Sequence, residues 1–203
     1  MIDLKNIDCL DAMKQMDDNQ FDLAIVDPPY GISVNKMTLG SGKYKNKGKD
    51  WDSETPSQEY YDELFRVSKN QIIWGANYMV DKIKRPSMGW IYWDKQNGDS
   101  DFSDGELAFT SFNRALRSFK YHLSKDRHVR FHPTQKPVQL YEWILDKYAN
   151  EGETILDTHL GSGSIALACH NRGFDLTGFE IDSEYHNKAV ERLRVHRSQL
   201  TMF

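Results

Sequence analysis

The 203-residue sequence predicts an α/β fold built on a mostly parallel, doubly wound sheet. Three observations predict it. Short apolar runs rich in Ile, Leu and Val alternate with segments of 10 to 15 residues whose apolar positions recur at helical spacing, as parallel sheets with helical crossovers require. Several of those runs end in acids, prolines or glycines, the residue types found where an open α/β sheet places its chemistry. The length suits one domain, residues 1–203, with modest insertions, and no repeat or low-complexity linker divides it.

Residues 2–7 read as a strand feeding a short helix over 8–16. Phe21–Val26 is continuously apolar apart from Asp22, the pattern of a strand buried on both faces. A loop rich in Gly and Lys spans 31–52, and a helix near 57–68 precedes a strand at 71–74. Residues 90–93 and 107–112 are aromatic and β-branched enough for two strands that pair antiparallel. Residues 113–131 are too polar and basic for core. Pro137 suits a first helical position, with Val138, Tyr141, Ile144, Leu145 and Tyr148 at helical spacing behind it. A strand at 154–156, a helix at 165–171, a strand at 176–181 and an amphipathic helix at 184–200 close the chain.

Charge and composition narrow the partners. The net charge is −4, yet residues 31–50 carry +4 and residues 113–136 carry +6, leaving −14 on the rest. Two basic stretches on an acidic body suggest a face for a polyanion, with solvated basic loops as the plainer reading. Nothing in the sequence is long and apolar enough to span a membrane, and the first residues lack signal-peptide character. Cys9 and Cys169 have no metal-ligand spacing and read as reduced thiols of a cytoplasmic protein. No metal site is expected: Asp101, Asp104 and Glu106 read as turn caps, and His122, His128 and His132 form no ligand pattern.

The tetrapeptide Asp27-Pro28-Pro29-Tyr30 at the end of the Phe21–Val26 strand is the sharpest chemical signal. Its prolines stiffen the exit and offer no N–H donors, so its carbonyls are free to accept. A carboxylate, a rigid carbonyl and a flat ring can together grip an NH₂ group on a planar heterocycle. A Pro-rich strand exit with a packing tyrosine is the competing reading. Farther on, Asp157-Thr158-His159-Leu160-Gly161-Ser162-Gly163-Ser164 runs from a strand through a glycine turn into a helix, leaving backbone amides open to a ligand. Glu180 closes the next strand, where an acid accepts hydrogen bonds from ribose hydroxyls. Asp157 before the turn suits an ammonium better than a pyrophosphate. A ligand with ribose and amino acid but no phosphates points to S-adenosylmethionine; taken singly, either acid is as readily a strand-end cap.

With these motifs in order, the chain resembles a beta-class DNA amino-methyltransferase, in which the catalytic tetrapeptide precedes the cofactor turn. Phe131-His132-Pro133-Thr134-Gln135-Lys136-Pro137, followed by a helix and then Asp157 to Gly163, is similar to that family's join between its last and first motifs. Asn6-Ile7-Asp8-Cys9-Leu10-Asp11 resembles the segment whose acid contacts the cofactor adenine. The resemblance implies a Rossmann-like, circularly permuted, seven-stranded sheet with one reversed strand. It implies catalytic Asp27, Pro28, Pro29 and Tyr30, and cofactor contacts from Asp8, Cys9, Asp27, Thr134, Gln135, Lys136, Asp157, His159, Gly161, Ser162, Gly163, Ser164, Glu180 and Ile181. Thr158-His159 departs from the family's usual Pro-Phe.

The activity so implied is methylation of adenine N6 in a flipped-out nucleotide of double-stranded DNA, with cytosine N4 as the alternative. RNA or protein amide methylation, or a non-catalytic DNA-binding module, stand further off. Lys36, Lys43, Lys45, Lys47 and Lys49, with Arg114, Arg117, Arg127 and Arg130, are the expected phosphate contacts. They fall in short target-recognition insertions at 31–52 and 95–131, small enough that a second copy of the chain is a candidate partner. Trp51, Trp90 and Trp93 read as packing residues, and Asn77, just past a strand at the active edge, as a candidate for the base pocket.

Overall fold

A computed structural model describes residues 1–32, 52–98, 103–122, 132 and 134–200. Those residues form eight strands: β1 (Ile2–Lys5), β2 (Phe21–Val26), β3 (Ser68–Trp74), β4 (Trp90–Asp94), β5 (Gly105–Thr110), β6 (Arg117–Lys120), β7 (Thr154–Asp157) and β8 (Asp175–Phe179). Six helices accompany them: α1 (Cys9–Met13), α2 (Gln58–Val67), α3 (Val80–Ile83), α4 (Val138–Tyr148), α5 (Ser164–Arg172) and α6 (Ser183–Leu200).

The strands make one sheet in the order β1-β8-β7-β2-β3-β5-β4-β6. β5 runs antiparallel to both of its neighbours and every other pair is parallel, so one strand is reversed, as expected. The sheet has eight strands where seven were expected. The additional one, β6, lies in the stretch read as too polar for core. It is an edge strand whose residues are exposed apart from half-buried Phe119, so its pairing with β4 rests on backbone bonds and leaves little apolar signal.

Period-two alternation along the strands splits the core into two layers. Leu23, Ile25, Ile72 and Trp74 face α4, α5 and α6, packing on Leu140, Ile144, Ala166 and Leu193. Ala24, Val26 and Ile73 face the opposite way, toward α1 and α2, with Met13, Tyr61, Leu64 and Val67. Because both faces are covered, β2 has no solvent side and reads as a continuous apolar run.

Local chemistry sets the helix boundaries. Asp8 caps α1, its Oδ1 accepting from the amides of Leu10 and Asp11 at 2.8 and 3.2 Å. Ser57 caps α2 through the Tyr60 amide at 3.3 Å. Pro137 takes the N-cap position of α4 rather than the first helical turn. The α1 helix ends at Met13, earlier than expected, and β3 begins at Ser68, three residues before the expected start.

Candidate active site

β7 and β2 are parallel neighbours, registered Leu23 to Ile155 and Ala24 to Leu156. Asp27 and Asp157 therefore leave the sheet side by side at its carboxyl edge. The segments that follow them line one cavity of about 500 Å³. Asp27 and Pro29 form part of its wall, Thr134, Gln135 and Lys136 another, and the turn from His159 through Ser164 a third. Glu180, Ile181, Asp182 and Tyr185 complete it from the end of β8 and the start of α6, with His132 and Tyr141 between.

The tetrapeptide is held on every side. Asp52 Oδ1 accepts from the amides of Tyr30 and Gly31, at 2.8 and 3.1 Å, which pins the exit from the prolines. Pro28 is buried. The Tyr30 ring lies over Gly75, a residue with φ of +65° whose missing Cβ makes room for it, and Tyr78 stacks on the ring at 5.3 Å.

Beneath the ring sits a charged cluster that the sequence did not disclose. Lys136 is 3 % exposed, and its ammonium lies 2.5 Å from Asp27 Oδ2 and 3.0 Å from Glu106 Oε2. The Tyr30 hydroxyl donates to Asp27 Oδ1 at 2.8 Å and approaches Glu106 Oε2 at 3.2 Å, while Lys95 holds Glu106 Oε1 at 2.7 Å. Glu106 is thus no turn cap. Its β5 position aims it across the sheet edge at residues distant in sequence. Burial opposes ionisation of Glu106, but Lys136 and Lys95 outweigh it and hold the carboxyl at about 2. Burial also opposes charge on Lys136, and the Asp27 and Glu106 carboxylates overcome it and raise its pKa. Asp27 itself is raised by burial and by facing Glu106, against the pull of Lys136 and Tyr30.

On the cofactor side, Glu180 accepts from the Gly161 amide at 2.8 Å and the Asp182 amide at 2.9 Å, so the acid organises the turn it faces. Gly163 has φ of +70°, and a Cβ there would lie 2.9 Å from that of Ala189, so its small size lets α6 pack close. Asp157 is buried with Oδ1 accepting from the His159 amide at 3.0 Å. Burial, reinforced by Asp27 and Glu180, pushes its carboxyl up to about 8 despite that bond. His159 is pushed down to about 4 by burial, against the pull of Asp8, and stays neutral at physiological pH. Its Nδ1 meets Thr158 Oγ1 at 2.9 Å, and Thr158 Oγ1 meets the Tyr60 hydroxyl at 2.7 Å. If Tyr60 donates to Thr158 and Thr158 to Nδ1, each hydroxyl proton has an acceptor and Nε2–H is the tautomer presented to the cavity.

The remaining predicted residues divide. Asp8 and Cys9 sit at the start of α1 and Gly163 behind the turn, outside the cavity wall, though Asp8 is close enough for its charge to act on His159. Burial pushes the Cys9 thiol up to about 12, and both cysteines are free. The Arg114 guanidinium donates to the Lys147 carbonyl at 2.5 Å and lies over Phe112 and Tyr148, which engages it with α4; Arg117 is exposed on β6. Lys36, Lys43, Lys45, Lys47, Lys49, Arg127 and Arg130 lie outside the described residues, as does Trp51. Trp93 is buried edge-on to Trp74, and Trp90 edge-on to Phe109, as packing residues. Asn77 is exposed in a 3₁₀ turn, Ala76–Tyr78, and does not line the cavity.

Residues the sequence reading missed are Glu106 and Lys95 under Tyr30, Tyr78 upon it, and His132, Tyr141, Asp182 and Tyr185 in the wall. His132 could have been found from its place inside the segment that carries Thr134 and Lys136; the others have no local signal. A second, more open hollow of about 390 Å³ lies beside α2 and α3, but its Arg66, Lys82 and Arg85 are taken up by protein partners. Among the described residues no acid, His or Cys cluster suits a metal, and no helix is long and apolar enough to cross a membrane.

Comparison with known proteins places this geometry. Residues 73–191 match the family model described as DNA methylase, the N6/N4 class. The Type II methyltransferase M.HpaI of Haemophilus parainfluenzae is 30% identical over 227 residues, covering 90% of this chain and 71% of that one. Among solved structures, the M1.HpyAVI–SAM complex superposes with a TM-score of 0.67 at 21% identity, over 95% of this chain and 99% of the other. The cytosine-N4-specific PvuII DNA methyltransferase superposes with a TM-score of 0.61 at 10% identity, over 98% and 92% of the two chains.

Proposed function

This chain belongs to the N6/N4 family of DNA methyltransferases, and we propose that within it the protein moves a methyl group from S-adenosylmethionine to the N6 amino group of adenine in double-stranded DNA. The observation that carries the reading is the shared cavity: the Asp27 corner and the Gly161–Ser164 turn line the same 500 Å³ space. The donor set fits the cofactor. Asp27, Glu180 and Asp182 face the cavity with Lys136 the one Lys or Arg in its described wall, and Asp157 is buried at the end of β7, bonded to the amide of the wall residue His159. Such a wall repels a pyrophosphate and favours a ligand carrying a sulfonium and an ammonium.

Glu180 would accept from the ribose hydroxyls with the lone pairs left over from the turn, while Ile181, exposed at the rim, would lie against the adenine of the cofactor. The amides opening α5 and the side chains of Thr134 and Gln135 would hold the amino-acid end, with Asp157 as counter-charge to the ammonium. The cofactor supplies an already activated methyl group on sulfur. The protein's task is alignment. The Asp27 carboxylate and the Pro28 carbonyl would each accept one N–H of the target amine, favouring a pyramidal nitrogen with a free lone pair; as that nitrogen gains the methyl group and the C–S bond breaks, it would shed one of those protons along its hydrogen bond. Neither cysteine is needed as a nucleophile, in keeping with the high pKa that burial imposes on both.

A base inside a duplex cannot be approached in this way, so the nucleotide leaves the stack, at about a few kcal/mol. Tyr30 and Tyr78 offer the aromatic surface beside Asp27. Lysines of the 31–52 segment and arginines of 95–131 contact phosphates, and a second copy of the chain would extend that short recognition surface. Cytosine N4 is the alternative acceptor, since it needs the same grip on an exocyclic amine.

Methylome sequencing of DNA from cells expressing the wild type or Asp27→Ala tests the reading. Marks should appear only with the wild type; marks that persist in the variant refute the role of Asp27. Mass spectrometry of nucleosides from the same DNA distinguishes N6-methyladenine, the expected product, from N4-methylcytosine.

A further inference from the structure

The geometry points to Glu106 as a positioning residue that receives the Lys136 ammonium and the Tyr30 hydroxyl when Asp27 takes hold of the target amine. The inference rests on Asp27 being the group that binds that amine. In the structure both Asp27 oxygens are occupied by protein donors, Lys136 on Oδ2 and Tyr30 on Oδ1. An incoming N–H must either share an oxygen with one of these donors or displace it. Displacing a buried ammonium and a part-buried hydroxyl without a replacement acceptor is costly.

Glu106 removes that obstacle. Its Oε2 already lies 3.0 Å from Lys136 Nζ and 3.2 Å from the Tyr30 hydroxyl, so both donors can pass from one acid to the other with little movement. Its other oxygen is fixed by Lys95 at 2.7 Å, and that side chain is only 15% exposed, so the receiving carboxylate is held in place rather than free to follow the donors. Asp27, Glu106, Lys95 and Lys136 sum to zero charge, and a neutral amine entering the cluster leaves that balance intact. Glu106 does not line the cofactor cavity, which separates its effect from cofactor affinity.

Single-turnover methylation of unmethylated bacterial genomic DNA with labelled S-adenosylmethionine tests the exchange, alongside cofactor affinity by calorimetry. Glu106→Gln should lower the rate by about a hundredfold, the scale set by misplacing a reacting group, while the cofactor dissociation constant stays within about twofold. Glu106→Asp keeps the charge but retracts it by one methylene, and should fall between the two, about tenfold below wild type. A wild-type rate in Glu106→Gln overturns the inference. If Glu106→Gln loses cofactor binding and fails to fold, Glu106→Asp decides alone: a wild-type rate there overturns it too. Asp27→Ala separates the premises, since an active Asp27→Ala sinks the reading of Asp27 itself, whereas an inactive one beside a fully active Glu106→Gln sinks only the exchange.

Discussion

Gly75 offers a direct measure of how tightly the tetrapeptide is built into the sheet edge. It follows β3, donates its amide to the Leu107 carbonyl at 2.9 Å and has φ of +65°. A Cβ there would stand 2.1 Å from Tyr30 Cε1, 2.4 Å from Cδ1 and 2.5 Å from Cζ, against the middle of a ring held by Asp27 and Glu106. Carbon atoms in contact settle near 3.5 Å, so Gly75→Ala moves the ring by about 1 Å or more and breaks its hydroxyl contacts. The left-handed backbone costs alanine about 1–2 kcal/mol and the overpacking about 1–3 kcal/mol, for a total of about 2–5 kcal/mol. For a chain of this size that lowers Tm by about 4–20 °C. The displaced ring should also slow methylation by up to about a hundredfold. Gly152→Ala is the internal control: φ is +84°, but nothing lies within 4 Å of the added Cβ, so only the backbone cost remains and the rate is unchanged. Thermal melts and single-turnover rates of both variants suffice. Gly75→Ala with wild-type Tm and rate, or Gly152→Ala equally damaging, refutes the packing described.

Other outcomes follow from the buried titrating groups. With the Asp157 carboxyl pushed up to about 8 in the free protein, most molecules carry its proton at pH 7, so pairing with the cofactor ammonium should release up to about one proton. Calorimetry in buffers of different ionisation enthalpy reads this directly, and Asp157→Asn should bring it close to zero. Because the folded pKa of Asp157 lies above the unfolded value, its contribution to stability is complete below about pH 4 and is lost as pH rises through about 8. The difference in Tm between wild type and Asp157→Asn should therefore shift in favour of the variant over that window. Imidazole nitrogen NMR should show His159 neutral from pH 8 down to about 5, protonated at Nε2, and Thr158→Val should abolish that tautomer preference. A charged ring at pH 6.5 would contradict the burial assigned to it.

Much of this architecture was legible because it is written in short-range patterns. The Phe21–Val26 run, the helix near 57–68 and the helical spacing from Val138 to Tyr148 each encode one element locally, and the structure returns them within a few residues. β6 escaped because an exposed edge strand buries almost nothing. Glu106 escaped for a different reason. Its partners Tyr30, Lys95 and Lys136 come from β2's exit, the end of β4 and the approach to α4, and only the reversed direction of β5 delivers the acid among them. No spacing rule connects positions 30, 95, 106 and 136. Charge alternation around a Gly-rich turn was the local signal available, and it pointed to capping.

The order of motifs along the chain matters less than one strand pair. Going outward from β7 the sheet proceeds to β8 and β1; going outward from β2 it proceeds to β3 and beyond. The winding therefore reverses between β7 and β2, and the crevice above a reversal is where an open α/β sheet can admit a ligand between its loops. Asp157 and Asp27, 130 positions apart in sequence, leave the sheet as neighbours because Leu156 is registered with Ala24. A slip of one residue in that pair would interchange the two buried faces of β2, exchanging Leu23 and Ile25 for Ala24 and Val26 against α4 and α5. Two packed layers thus defend the register, and in defending it they fix the distance between the acid that grips the amine and the turn that receives the cofactor. Permuting the chain leaves that distance untouched, since no connection between β7 and β2 is needed to hold two hydrogen-bonded strands side by side.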